Sequence, residues 1–287
     1  MALYELIERP ELGSPVLVLA LDGWIDAGFG AQTARQHLLD QVDSVTVAAF
    51  DADELLDHRA RRPAMVLQDG VLASLTWPSI ELRAASDAAG NDLLLLTGAE
   101  PDHHWRAFTR AVVELALELD TRMVVGLGAY PAPVPHSRPP RLAASASSEE
   151  LAAFCAVRTS VEVPAGIQAA IERRAAEVGL PAIGLWAQVP HYASAMPAPA
   201  AAHSLLDGLD RLAGLTIDLA ELSAAAERTR VRVDELVAAN PEHVAMVRQL
   251  EEQWDGEGGV SGLGLAGNIP SGDELAAEVE RFLRDQS

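Results

Sequence analysis

Three short stretches hold the residue types that acid–base and anion chemistry use. Asp22 and Asp26 stand four apart in "LDGWIDAGFG". Two carboxylates in a glycine-rich turn can act as acid and base or hold a metal. The chemically silent alternative is that Asp26 caps the following helix and Asp22 fixes the turn. "GAYPAPVPHSRPPRLAAS" (128–145) sets His136, Ser137 and Arg138 in succession. They offer a general acid/base, a hydroxyl and a guanidinium fork that matches phosphate. Val134-Pro135-His136 recurs as Val189-Pro190-His191, followed by Tyr192. Proline holds φ near about −65° and stiffens both stretches. A stiff loop suits recognition as well as catalysis. Asp102-His103-His104 is a weaker candidate. Adjacent histidines point to different faces of a helix, and Asp102 is read as a favourable charge in its first turn.

The elements around these stretches say where they lie. Val16 to Leu21 is a continuous apolar run, as in a strand buried on both faces. A loop to Gly30 and a helix to about Asp40 follow it. Strands are expected at 44–50, in "NDLLLLTG", in "RMVVGLG" and in "LPAIGLWAQ", with a short one near 158–163. Asp69-Gly70 marks a hairpin. Residues 51–62 read as a short helix ended by Pro63. Trp105, Phe108, Val112, Leu115 and Leu119 step by three and four, marking one face of a helix from 101 to 121. Further helices are expected at 164–178 and up to about 213. Strands alternating with helices predict a mixed, mostly parallel sheet covered on both faces, an α/β three-layer sandwich. Ligands of open α/β sheets bind at the carboxyl ends of the strands. There the two Val-Pro-His loops and "LDGWIDAG" would line one cleft.

After about residue 215 the pattern becomes helical. Asp218 and Glu221 resemble a capping box for a helix ending near Asn240. Asn240 then caps a helix that starts at Pro241. Residues 255–272 contain seven glycines and read as a linker. A last helix carries Leu275, Val279, Phe282 and Leu283 on one face. The expected division is a core over 1–215 and a C-terminal helical segment over 216–287.

Composition removes several classes of function. The 21 basic residues are all arginine. Walker-type phosphate loops, Schiff bases and pyridoxal chemistry need a lysine. The net charge of −21 opposes general binding to nucleic acid. The one cysteine, Cys155, excludes an internal disulfide and a cysteine zinc cluster. It reads as buried filler. "GFGAQT" has Thr33 where a dinucleotide fingerprint needs its third glycine, and no G-x-S-x-G elbow is present. The expectation is no metal and no cofactor. With no apolar run near about 20 residues and no signal-like N-terminus, a cytoplasmic protein with no membrane contact is expected.

Taken together, "LDGWIDAGFGAQTA", "FDADELLDHRARRP", "GLGAYPAPVPHSRP", "QVPHYA" and "SGDELAAEVERFLR" resemble the actinobacterial branch of the proteasome assembly chaperone family, of the second chaperone type. The resemblance covers nearly the whole chain. It implies a core similar to the nucleoside phosphorylase/hydrolase-like fold with added C-terminal helices. It also implies a non-enzymatic role exercised through protein partners, with the chain as a homo-oligomer, a trimer among the options. The alternative is a small-molecule binder or enzyme of phosphorylase-like type, taking a nucleoside or phosphate. The candidate cleft residues for either role are Asp22, Trp24, Asp26, Gly28, Gly128, His136, Ser137, Arg138, His191 and Tyr192.

Overall fold

A computed structural model describes residues 3–23 and 25–256. Its main sheet is built from β1 (Tyr4–Leu6), β2 (Val16–Asp22), β3 (Val45–Phe50), β6 (Ile80–Ser86), β7 (Asp92–Ala99), β8 (Met123–Ala132), β9 (Leu142–Ala146) and β10 (Ala182–Pro190). The strand order is β1-β3-β6-β7-β2-β8-β10-β9. β7, β2, β8 and β10 run parallel in the centre, and the flanking pairs are antiparallel. β4 (Ala64–Gln68) and β5 (Val71–Thr76) form a separate hairpin around Asp69-Gly70.

The uninterrupted apolar runs are explained by burial on both faces. Val16, Val18 and Ala20 of β2 pack with α1 (Gly30–Gln41) and α6 (Pro199–Ala213). Leu17 and Leu19 point the other way, to α3 (Trp105–Glu118) and α5 (Ile167–Glu177). Phe108, Val112 and Leu115 of α3 form the expected buried stripe. The result is the three-layer α/β sandwich, closed by α7 (Ala220–Ala238) and α8 (Pro241–Gly256).

Several local expectations change. The helix after β3 is only α2 (Ala52–Leu55), capped by the Asp51 carboxylate. It stops because the Asp57 N–H donates to Asp102, 2.8 Å away, and Arg61 pairs with the same carboxylate. Asp102 is therefore a tertiary anchor rather than a first-turn charge. Residues 158–163 form no strand. The eighth strand is β9, inside the stretch expected to be all loop, and it pairs antiparallel with β10. Asp218 accepts from the Ala220 N–H at 2.9 Å, but no side chain caps α7, so there is no capping box with Glu221. Asn240 does cap α8, accepting from the Glu242 N–H at 2.9 Å. α8 takes in Asp255 and Gly256, the first two residues of the expected linker. Residues 257–272 and the last amphipathic segment lie outside the described residues.

Candidate functional site

β2, β8 and β10 are parallel, so their carboxyl ends share one edge of the sheet. The two Val-Pro-His stretches are not in register. Val189 and Pro190 are the last residues of β10, opposite Pro131 and Ala132, and Val134 lies two residues beyond the end of β8. Tyr192 joins them. Its hydroxyl oxygen accepts from the His136 N–H at 2.9 Å and lies 2.7 Å from Nδ1 of the same residue. The Asp234 carboxylate facing Nε2 can only accept, so in the neutral ring Nδ1 is left to receive the Tyr192 hydrogen. Nε2 then carries the ring proton and donates to Asp234, 3.0 Å away. Burial pushes the Tyr192 phenol up to about 12, which keeps it a donor. His191 is exposed, edge-on to the Tyr192 ring at 5.3 Å.

Each polar group of the first loop meets a C-terminal helix. Ser137 Oγ donates to Glu251 of α8. Arg138 grips Asp255 through two bonds, Nε to Oδ1 at 3.0 Å and Nη2 to Oδ2 at 2.7 Å, with Glu251 at 3.5 Å. This bidentate geometry suits guanidinium and carboxylate. Arg141 lies 3.6 Å over the Trp254 ring and donates to the Trp254 carbonyl at 3.1 Å. The C-terminal helices thus lie over the proline loop. Trp254→Ala is expected to loosen this cover selectively. Cation–π contacts of this kind contribute about 1 kcal/mol, so amides of α8 should exchange roughly fivefold faster. Amides of β2 and β8 should be unaffected, and hydrogen exchange followed by mass spectrometry separates the two.

Between the loop, the start of α6 and α7 lies a half-open cavity of about 290 Å³. His136, Ser137 and Arg138 line it. Asp22 and Asp26 do not; they face α1. Asp22 pairs with Arg35 at 2.7 Å. The Asp26 carboxylate accepts from the Ala31 and Gln32 N–H groups at 2.8 and 2.9 Å, a helix cap in function. Burial raises its pKa against the pull of those two N–H groups and Arg35. Gly28 has φ +61°, and a Cβ there would lie 2.5 Å from the Ala198 Cβ. Its N–H and C=O bond to Ser194 and Ala198 at 2.7 and 2.8 Å, tying this turn to the 194–198 loop. Gly128 makes room for the Trp186 ring, 2.4 Å from where its Cβ would stand. Trp24 lies outside the described residues.

Sequence reasoning missed the partners Asp234, Glu251, Trp254 and Asp255. The signal available was an aromatic among carboxylates, "EEQWDG", in a chain whose proline loop holds two arginines. It also missed a buried cluster on the opposite face. Glu172 of α5 accepts from Ser145 at 2.7 Å and Gln168 at 3.0 Å, and Ser145 accepts from the Trp186 indole at 3.1 Å. Gly126 and Gly184 leave space for that carboxylate; a Cβ on either would stand 2.6 or 2.5 Å from Oε1. Burial pushes Glu172 up to about 7.

The polar groups of the loop are engaged by carboxylates of the C-terminal helices. Ser137 donates to the Glu251 carboxylate, which Arg138 also approaches at 3.5 Å. The buried Cys155 thiol is pushed up to about 11. Among the described residues no group of three or more His, Cys, Asp or Glu is placed to hold a metal, and no helix is long and apolar enough to cross a membrane.

Comparison with known proteins fits this geometry. No curated protein matches the chain by sequence. Several solved structures are similar along most of their length. Mycobacterium tuberculosis Rv2714, of unknown function, is 37% identical, with 88% of this chain and 91% of that one covered at a TM-score of 0.82. M. tuberculosis Rv2125, described as a proteasome-assembly chaperone homologue, is 32% identical over 81% and 99%, at 0.75. A PAC2 family protein from Streptomyces avermitilis is 36% identical over 81% and 99%, at 0.73. The model of the PAC2 family matches residues 20–237, from the end of β2 through the cavity to the last turn of α7; the chain belongs to the PAC2 family.

Proposed function

We propose that this protein is a non-enzymatic interaction protein of the assembly-chaperone type, working in the cytoplasm as a homo-oligomer. The β4–β5 hairpin is the observation that carries this reading. Met65, Leu67, Val71, Leu72 and Leu75 are between 46 and 66% exposed, and Trp77 beside them is 54% exposed. Met65 faces Leu75 and Leu67 faces Leu72 across the ladder. A lone two-stranded hairpin is marginal in water, and contiguous exposed apolar surface marks an interface. From 64 to 77 the only charge is Asp69. In a chain of net charge −21, this arm is where a second copy can approach with little repulsion. The Rv2125 likeness supports an assembly role, with proteasome core subunits as the partner class.

The test has two parts. Sedimentation velocity should show an oligomer for the wild type, the mass giving its number, a trimer included. Leu72→Glu with Met65→Glu should give a folded monomer. A monomeric wild type, or an unchanged oligomer in the variant, rejects the arm. Purification of tagged full chain from cells containing proteasome core subunits tests the assembly role. Recovery of unassembled core subunits supports it, and their absence counts against it.

A second reading, a small-molecule binder, is favoured by the cavity alone. A phosphate there would have to displace Asp255 from Arg138.

A further inference from the structure

The cavity beneath α7 and α8 has a composition that selects among ligands. Its walls are mainly proline, alanine and valine, with Met196 and Trp254. Proline contributes no N–H, so the six prolines of the wall offer an anion no backbone donor. The charged groups at the walls are already neutralised. Arg138 is held by Asp255 and Glu251. Arg230 is held by Glu227 at 2.6 Å and Asp234 at 2.7 Å. His136 is used on both ring nitrogens by Tyr192 and Asp234. With Arg141 over Trp254, three arginines stand among four carboxylates, so the local field is negative on balance and opposes anions.

Size narrows the class further. An apolar cavity of about 150 Å³ holds a benzene. About 290 Å³ therefore suits a molecule of two fused rings. Met196 offers a thioether, which favours aromatic partners.

We infer that this cavity binds an uncharged, two-ring aromatic molecule, held by the proline and Met196 wall and covered by α7 and α8. The inference rests on the reading of the cleft as a small-molecule site and names its ligand class. It replaces the nucleoside or phosphate expected from fold resemblance.

The test uses the full chain and 2-naphthol, followed by calorimetry and by the methyl resonance of Met196 in methionine-labelled protein. The Met196 resonance, assigned with Met196→Leu, should shift in saturable fashion. Naphthalene-2-sulfonate should bind at least about tenfold more weakly. Two wall variants fill the space from opposite sides, Ala226→Trp on α7 and Ala200→Phe on α6. Each should lower 2-naphthol affinity about tenfold or more while the thermal midpoint is held. If one variant fails to fold, the other and the wild-type methyl shift still decide. Binding that leaves Met196 unmoved, or survives both fillings, places the probe elsewhere and overturns the inference. Tighter binding of the sulfonate overturns the ligand class. A thermal shift with nucleosides or phosphate and none with 2-naphthol also overturns the class, yet leaves the cleft a small-molecule site. No shift with any of these probes rejects both.

Discussion

Gly98→Ala is expected to lower the free energy of unfolding by about 4 kcal/mol, the largest loss from adding one methyl group to a glycine among the described residues. Two effects add. Gly98 has φ +107°, which a residue with a Cβ adopts only under strain. A Cβ there would also stand 2.0 Å from the Ser79 carbonyl oxygen and 2.8 Å from its carbon. That oxygen accepts the Ala99 N–H at 3.0 Å, so it cannot retreat without losing a bond next to the central strands. Gly90 provides the control. Its φ is +84°, and nothing lies within 4 Å of its missing Cβ, so Gly90→Ala should cost only about 1 kcal/mol. Urea unfolding of both variants measures the difference. Equal losses would show that the contact with Ser79 relaxes freely.

Gly98 also illustrates which features the sequence leaves open. "NDLLLLTG" announces a buried strand through its leucines, and β7 is there. Nothing local says that the glycine ending it must pass within touching distance of Ser79, nineteen positions earlier. The same contrast holds elsewhere. β2, α3 and β10 were legible because burial on one or two faces writes a period into the chain. β9 was not, because "LAASA" is short and small and becomes a strand only when β10 lies beside it. The helix after β3 was overdrawn because its stop signal, Asp102, sits 45 positions from the Asp57 N–H it captures. Likewise the N–H of Ile167, opening α5, is taken by Glu100, 67 positions back.

The candidate site divides in the same way. The shared edge of the strand ends follows from parallel direction. The distance between the carboxylates and the proline loop does not. Asp22 and Asp26 look like a catalytic pair in isolation, but Arg35 and the start of α1 take them up. His136, Ser137 and Arg138 look like free chemistry, but Asp234, Glu251 and Asp255 answer each of them from about a hundred residues away. Charge pairing of this range has no local signature. Its trace is statistical: a strongly acidic C-terminal region facing a loop that carries two of the chain's arginines.

Glu172→Gln is expected to make the protein more stable at pH 8 and to flatten its stability between pH 4.5 and 7. The Glu172 side chain is buried, with the residue 7% exposed. Burial is the main cause of its rise from an ordinary 4.5 to about 7, against the pull of Ser145 and Gln168. The folded chain therefore keeps this proton over a range in which the unfolded chain has released it. The stabilisation is complete below about pH 4.5 and is lost as the pH climbs through 7. A pKa unit corresponds to about 1.4 kcal/mol, so the loss by pH 8 amounts to about 3 kcal/mol. Glutamine carries no charge to bury. Its oxygen can accept from Gln168, and its amide can donate to the Ser145 oxygen, which already receives the Trp186 indole. Other carboxylates add slopes of their own: Asp26, raised by burial, acts in the same sense as Glu172, and Asp87 and Asp102, lowered from an ordinary 3.8, act in the opposite sense at more acidic pH. The quantity to measure is therefore the difference between variant and wild type. Near pH 4 the two should unfold within about 1 kcal/mol of each other, and by pH 8 the variant should melt roughly 5–10 °C higher. Parallel pH profiles would mean that Glu172 ionises in the folded chain as easily as in water. A variant less stable at pH 8 would mean that the carboxylate is a net stabilising acceptor for Ser145 and Gln168 rather than a buried cost.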